Sequence, residues 1–286
     1  MDNCSKILER RLLLGALICA VLLIVSYFIL VDTSLGHQFD DDAVLTREAL
    51  SRSVISLDSH ILKLVGRRTL SLAAVVTLVI AVVRRCSFVG VVAVAGFVCA
   101  VVGAEVLKNV LIWRALLPKD ALLESGFQIN TYPSGHTTFV TSVALGLLLV
   151  SPSRWRPWLA VAGGCISATI ATGVLFTGLH RPSDALGALA WSGLCMSVAA
   201  ALAIRLRGRP SPAFPYAGHA AYGGVRLGIL VIAVAWLISA AAAERSLADF
   251  SFLAPTCFII VSAFTLIAWY GWQLRAVDWL AERVLE

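Results

Sequence analysis

Charged residues are scarce in this sequence of 286 residues. Asp, Glu, Lys and Arg together make up 14% of it, whereas hydrophobic residues make up 59%. An average soluble domain carries about 25% charged residues, so this composition excludes an ordinary water-soluble fold. The apolar residues form long runs, each close to the roughly 20 residues that a helix needs to cross a bilayer. The sequence therefore predicts an integral membrane protein of the all-α class.

Metal-binding patterns are also missing. The seven cysteines show no metal-ligand spacing, and most of them lie inside apolar runs, where cysteine behaves as a small buried hydrophobe. Their odd number gives no disulfide framework. Neither clustered carboxylates nor a His/Cys ligand set accompanies the candidate site described below. We therefore expect the protein to work without a metal or another cofactor.

The apolar runs predict a polytopic transmembrane helical bundle of about eight spans. The first run is long and lacks a small-residue cleavage site, which favours a retained span over a cleaved signal peptide. A six-span alternative treats the last two runs as re-entrant or mispredicted. The predicted spans cover residues 12–31, 69–83, 88–113, 134–150, 159–179, 185–204, 227–243 and 254–274.

Basic residues mark alternate connections between these spans. With eight spans, the basic positions 10–11, 84–85, 154–156 and 205–209 all fall on one side of the membrane, which the positive-inside rule identifies as cytoplasmic. These clusters are short and scattered, so they do not predict a nucleic-acid surface. Residues 32–68, 114–133, 180–184 and 245–253 then reach the extracytoplasmic side of a multi-pass cell-membrane protein.

The polar segment 32–68 contains an amphipathic pattern. Its acidic run at residues 40–42 is most simply a solvated loop. The apolar residues that follow recur at steps of three and four, which predicts one face of a helix. That helix either lies on the membrane surface or acts as a lid beside the site. Its apolar residues are Leu50, Val54, Leu57, Ile61 and Leu64.

The candidate site centres on the stretch Pro133-Ser134-Gly135-His136, where a polar loop meets an apolar run. Ser134 is placed to cap the helix that follows, and Gly135 lets a ligand approach the backbone closely. The start of a helix presents unpaired N–H groups that suit an anion. His136 adds a group that exchanges a proton near neutral pH.

A second pair of chemical groups lies downstream, at His180 and Asp184. Asp184 can accept a hydrogen bond from one ring nitrogen of His180, which leaves the other nitrogen free to attack a substrate. If His136 lies at the neighbouring helix start, one histidine can act as nucleophile and the other as general acid. Together they could divide the hydrolysis of a phosphate ester into two steps.

Positive charge is expected on the same membrane face from Lys108, Arg114 and Arg181. Lys108 follows Glu105 by three residues, so the two side chains could simply pair with each other. Taken singly, the other groups also have structural interpretations as caps, interface histidines or snorkelling arginines. Together, on one face, they predict a site whose cations and N–H groups hold phosphoryl oxygens.

These motifs resemble those of the type 2 phosphatidic acid phosphatase family, membrane lipid phosphatases related to haloperoxidases. That family carries Lys, six residues, Arg-Pro; then Pro-Ser-Gly-His; then Ser-Arg, five residues, His, three residues, Asp. Residues 133–136 match the second motif in full, Lys108 matches the start of the first, and His180 and Asp184 match the end of the third. The resemblance covers about residues 88–205.

The resemblance implies a role for each matched residue. It makes His180 the nucleophile of a phosphohistidine intermediate, Asp184 its orienting partner, His136 the acid to the leaving group and Lys108 a phosphate ligand. The family's Arg-Pro pair falls at positions 115–116, next to Arg114. Its Ser-Arg pair falls at positions 173–174, where this chain has Gly and Val.

Because that arginine is missing, we expect Arg181 to replace it and to matter more than Arg114. The resemblance divides the chain into a phosphatase-like core, residues 1–209 with the extracytoplasmic segment 32–68, and a two-span extension with a cytoplasmic tail, residues 210–286.

The expected activity is hydrolysis of a lipid phosphate or isoprenoid diphosphate at the extracytoplasmic face, for instance in recycling carrier lipids of the cell envelope. The alternatives are a lipid-linked phosphoryl transferase and a non-catalytic lipid-phosphate binder with a degenerate site.

Overall fold

A computed structural model describes residues 3–46, 60, 62–111, 130–207, 211–212 and 250–279. Within these ranges the chain forms eight α-helices, two of which continue into a single π-helical turn, at Tyr27–Val31 and Leu107–Leu111. The helices are α1 Asn3–Ser26, α2 Ser34–Thr46, α3 Arg67–Val83, α4 Ser87–Val106, α5 Gly135–Val150, α6 Arg156–Phe176, α7 Pro182–Arg207 and α8 Phe250–Gln273.

The helices confirm the predicted all-α polytopic membrane fold. Among the described residues, five helical stretches are long and apolar enough to cross a bilayer. They are Ser5–Val31, Ser87–Val110, Arg156–Phe176, Pro182–Leu206 and Ala254–Gln273. The helices α3 and α5 coincide with two further predicted spans, although at 17 and 16 residues they are shorter. The predicted span at 227–243 lies outside the described residues.

Helix α7 lies at the centre of the bundle and packs against α1, α4, α5 and α8. Its contact with α4 includes a hydrogen bond from the indole N–H of Trp191 to the carbonyl oxygen of Ala100, at 2.8 Å. The main core cluster joins residues of several helices that are fully buried. They include Leu12, Phe97, Leu145, Leu148, Met196 and Tyr270. This core fixes the helix ends from which the candidate site is built.

A tight turn joins α6 to α7. Gly178 adopts a φ of 69°, in the left-handed region that costs a residue with a Cβ atom about 1–2 kcal/mol. The N–H groups of Gly178 and Leu179 donate to the carbonyl oxygens of Leu175 and Val174, which is the Schellman pattern of a helix end. Pro182 then begins α7, where its missing N–H costs nothing. The turn leaves His180 little freedom at this end of the bundle.

At the opposite end of the bundle, two arginines connect helices to the segment that follows α8. The guanidinium of Arg84 pairs with Asp278, and the fully buried Arg156 donates to the carbonyl oxygens of Leu148, Leu274 and Val277. Residues 211–212 and 277–278 form a two-residue antiparallel ladder beside them.

Helix α8 also packs against α6 and α7. The predicted division of the chain at residues 209 and 210 stays a prediction.

Helix α2 corrects one interpretation of the sequence. The acidic run at 40–42 belongs to this helix, and Asp40 is fully buried, so the prediction of a solvated loop is wrong for that residue. The reason is a partner that is distant in sequence, described below. Most of the predicted amphipathic helix, including Leu50, Val54, Leu57 and Ile61, lies outside the described residues.

Candidate active site

The candidate site is a cavity at the end of the bundle away from Arg156. The end of α4, the start of α5 and the loop between α6 and α7 meet there, as the predicted topology requires. The cavity has a volume of about 270 Å³. The residues of its wall that matter here are Glu105, Lys108, Gly135, His136, Phe139 and His180.

The Pro-Ser-Gly-His stretch begins α5 as predicted. The side chain of Ser134 caps the helix by accepting from the N–H of Thr137, at 3.4 Å. The backbone N–H of Ser134 donates to the carbonyl oxygen of Asp184, at 2.9 Å, and so ties the start of α5 to α7. The peptide bond between Tyr132 and Pro133 is cis. This arrangement places Gly135 and His136 at the wall of the cavity.

Tyr132 anchors the loop before α5. Its hydroxyl lies 3.0 Å from the Ser26 hydroxyl and donates to the carbonyl oxygen of Leu23, at 3.1 Å. Burial raises the pKa of Tyr132, so the phenol stays protonated and able to donate. The loop that carries the predicted motif is thereby attached to α1.

His180 and Asp184 form the predicted hydrogen bond. The Nδ1 atom of His180 lies 3.2 Å from the Oδ2 atom of Asp184, which is fully buried. The same oxygen accepts from the backbone N–H of Arg181, at 3.0 Å, and from the hydroxyl of Thr131. Each of these groups can donate to an ionised Asp184 carboxylate, and His180 joins them in the tautomer that carries its proton on Nδ1. The lone pair is then on Nε2.

The two histidines face each other across the site. Their ring centroids are 6.4 Å apart, and the ring planes meet at 69°. His180 is only 7% exposed, whereas His136 is half-buried at the cavity wall. A small group in the cavity can therefore contact both rings.

The predicted cations differ in their position relative to the cavity. Lys108 lines the cavity and pairs with Glu105, with 2.8 Å between Nζ and Oε1, which is the structural alternative that their spacing allowed. Arg114 lies outside the described residues. Arg181 is 4% exposed and does not line the cavity, although its backbone N–H binds Asp184. Val174, at the position of the family's arginine, is fully buried in an apolar cluster.

Sequence reasoning missed a contact that supports the start of α7. The carboxylate of Asp40, on α2, accepts from the N–H of Ser183 at 3.1 Å and from its hydroxyl at 2.5 Å. Ser183 is the second residue of α7, so Asp40 satisfies one of the N–H groups that the first turn of a helix leaves unpaired. A negative charge is also favourable there. No local spacing indicates this contact, because the two residues are 143 positions apart.

We expect Asp40→Ala to destabilise the fold by about 1–3 kcal/mol, since it leaves a buried N–H and hydroxyl without their acceptor. Thermal unfolding in detergent measures the change. Asp32→Ala is the matched control, because Asp32 lies just before α2 and is exposed. We expect that control to stay within about 0.5 kcal/mol of the unchanged protein. Equal unfolding temperatures for the two variants would show that the Asp40 contact contributes nothing.

The comparisons with known proteins give one partial likeness. A stretch of 116 residues is 31% identical to a protein named undecaprenyl-diphosphatase from Sulfolobus acidocaldarius. The stretch makes up 39% of this chain and 53% of that protein, so the chain spans about half the length of the curated relative it matches. No family model and no solved structure matches the chain.

Proposed function

We propose that the chain is an integral membrane phosphatase that hydrolyses a lipid phosphate, with an isoprenoid diphosphate as the favoured substrate class. The observation that carries this proposal is the convergence of Lys108, His136 and His180 on one cavity at one end of the bundle, with His180 hydrogen-bonded to Asp184 behind it. The partial likeness to an undecaprenyl-diphosphatase supports the isoprenoid class.

In the first step, Nε2 of His180 attacks the terminal phosphorus. An N–P bond forms while the bond from phosphorus to the leaving oxygen breaks, and protonated His136 gives its proton to that oxygen. Asp184 keeps the ring oriented and stabilises the positive charge that develops on it. The products of this step are the lipid with one phosphoryl group fewer and a phosphohistidine.

In the second step, a water molecule attacks the phosphohistidine. His136, now neutral, takes a proton from the water, an O–P bond forms and the N–P bond breaks. Inorganic phosphate leaves, and His136 is again protonated for the next cycle. Lys108 and the N–H groups at the start of α5 hold the phosphoryl oxygens in both steps.

The cavity wall suits an amphiphilic substrate. Beside the polar groups it carries apolar side chains from Val65, Leu70, Val101 and Phe139. A phosphate head group can lie near Lys108 while the first carbons of its chain contact these residues. The positive-inside rule supports an extracytoplasmic site, because Arg84 and Arg156 lie at the other end of the bundle.

Phosphate release from defined lipids tests the proposal. The detergent-purified protein is given phosphatidate, a polyprenyl monophosphate or a polyprenyl diphosphate, each with excess chelator. We expect release from the polyprenyl diphosphate to survive chelation, and acid-labile, base-stable label to appear on the protein after a brief reaction with substrate labelled in the terminal phosphate.

Three outcomes would contradict parts of this proposal. Release that chelation abolishes would exclude the metal-free mechanism. Product that forms only when an alcohol acceptor is added would identify a phosphoryl transferase. No release from any lipid by a folded protein would favour a non-catalytic binder, with the buried Val174 in place of an arginine as the physical reason.

A further inference from the structure

A carboxylate lies where the proposed phosphoryl group would be held. The Oε1 atom of Glu105 is 2.8 Å from Nζ of Lys108. A Cβ atom built on Gly135 would lie 2.9 Å from that same oxygen. Glu105 therefore fills the space between the cation of the cavity and the first residue of α5. Both neighbours are groups that an anion prefers.

The contacts of Glu105 leave it able to move. Its side chain is 51% exposed, whereas that of Lys108 is 18% exposed. Its second oxygen accepts a long hydrogen bond from the side-chain amide of Asn109, at 3.4 Å. Exposed ion pairs of this kind contribute little to stability, because water solvates the separated charges almost as well. The carboxylate can leave Lys108 at small cost, while Lys108 stays at the cavity wall.

A phosphoryl group that binds Lys108 and the start of α5 has to use the space that Glu105 fills. The two anions also repel each other at this distance. Binding of a phosphoryl group and pairing of Glu105 with Lys108 are therefore alternatives. Phosphate binding must break the ion pair, so the free energy of the ion pair weakens the binding of phosphate by the same amount.

We propose that Glu105 is a competing anion built into the phosphoryl subsite. It pairs with Lys108 before the substrate arrives, moves aside when the phosphoryl group binds, and returns to Lys108 to expel inorganic phosphate after the second step. This inference rests on the proposed function, since it assigns the subsite to a phosphoryl group. Its role is release of the product, and it takes no part in the exchange of bonds.

The first test is direct binding of inorganic phosphate, which needs no turnover. Isothermal titration compares the full chain with Glu105→Gln, a change that keeps the size and a hydrogen-bond acceptor but removes the charge. We expect the dissociation constant for phosphate to fall about two- to fivefold, within the range that removal of an exposed competing charge allows. Asn109→Ala is the control, because it removes the neighbouring amide without changing charge, and we expect less than a twofold effect.

The second test is a double-mutant cycle with Lys108→Met. If Glu105 acts by competing for Lys108, then Glu105→Gln should not tighten phosphate binding when Lys108 is already replaced. Where the protein turns over, the inhibition constant for added phosphate should fall with the dissociation constant. The KM of the lipid substrate should also fall in Glu105→Gln.

Several results would overturn the inference. Unchanged or weaker phosphate binding by Glu105→Gln would exclude competition, and so would tighter binding that persists without Lys108. Absence of phosphate binding to both proteins would show that the subsite does not take a phosphoryl group. A loss of kcat with unchanged phosphate affinity would make Glu105 a group of the reaction itself. Failure of the lipid hydrolysis assay alone contradicts the proposed function and leaves the binding result standing.

Discussion

Replacement of His180 by Ala should lower phosphate release from the lipid substrate by a factor of about 10⁴ or more. The expected loss is large because the proposed mechanism has no second route to the N–P bond once Nε2 is gone. His180 is almost fully buried, so water does not readily take its place. The measurements are initial rates of release and the amount of protein-bound label, both of which should vanish together.

The exposed His60 provides the control for this experiment. His60→Ala removes an imidazole from the chain without touching the cavity, and we expect its rate to stay within about twofold of the original. A His180→Ala protein that kept a tenth of the activity would contradict the phosphohistidine. Loss of release with retained binding of phosphate would, by contrast, be the expected pattern for removal of a nucleophile.

The second large effect is expected for Asp184→Asn, which keeps the shape of the side chain and removes its charge. A carboxylate that orients a catalytic histidine in serine hydrolases is worth about 10⁴ in kcat. Asp184 holds the same kind of position, with one oxygen shared by His180, Arg181 and Thr131. We expect kcat to fall at least about 100-fold, with a much smaller change in KM, because the carboxylate does not line the cavity.

Thr131→Val is the matched control for the charge of Asp184. It removes one donor to the same oxygen and leaves the carboxylate ionised, so we expect a loss of less than about tenfold. The pH dependence separates the two variants further. Without the carboxylate, the imidazole of His180 loses the partner that holds its proton on Nδ1, and the pH profile of kcat should change shape in Asp184→Asn but not in Thr131→Val. Equal losses in both variants would contradict an orienting role for the charge.

The parts of the site that the sequence predicts are those set by local spacing. Ser134 caps α5 because a cap depends on residues three positions apart. The pairs Glu105–Lys108 and His180–Asp184 lie three and four residues apart, distances that bring side chains together on one turn. The order of the predicted spans also predicted that these motifs converge, because alternate helix ends meet at one face of a membrane bundle.

The parts that could not be predicted depend on the path of the backbone or on distant partners. Arg181 is adjacent in sequence to His180, yet it is buried and does not line the cavity. Asp40 lies in a run of three aspartates, which are poor helix formers, and its burial depends on Ser183. The spacing allowed the carboxylate of Glu105 to pair with Lys108, but its approach to Gly135 comes from the packing of α4 against α5.

The buried Arg156 constrains the order in which this protein can be assembled. Of the carbonyl acceptors described above, Leu148 is synthesised before Arg156, while Leu274 and Val277 follow more than a hundred residues later. A chain emerges from the ribosome from its N-terminus, so the guanidinium lacks two of these acceptors until α8 has been made. The helices α3–α7, whose residues and connecting loops line the cavity, are complete by residue 207. The end of the bundle with the cavity can thus form during synthesis, whereas the end with Arg156 closes only after α8 has entered the membrane.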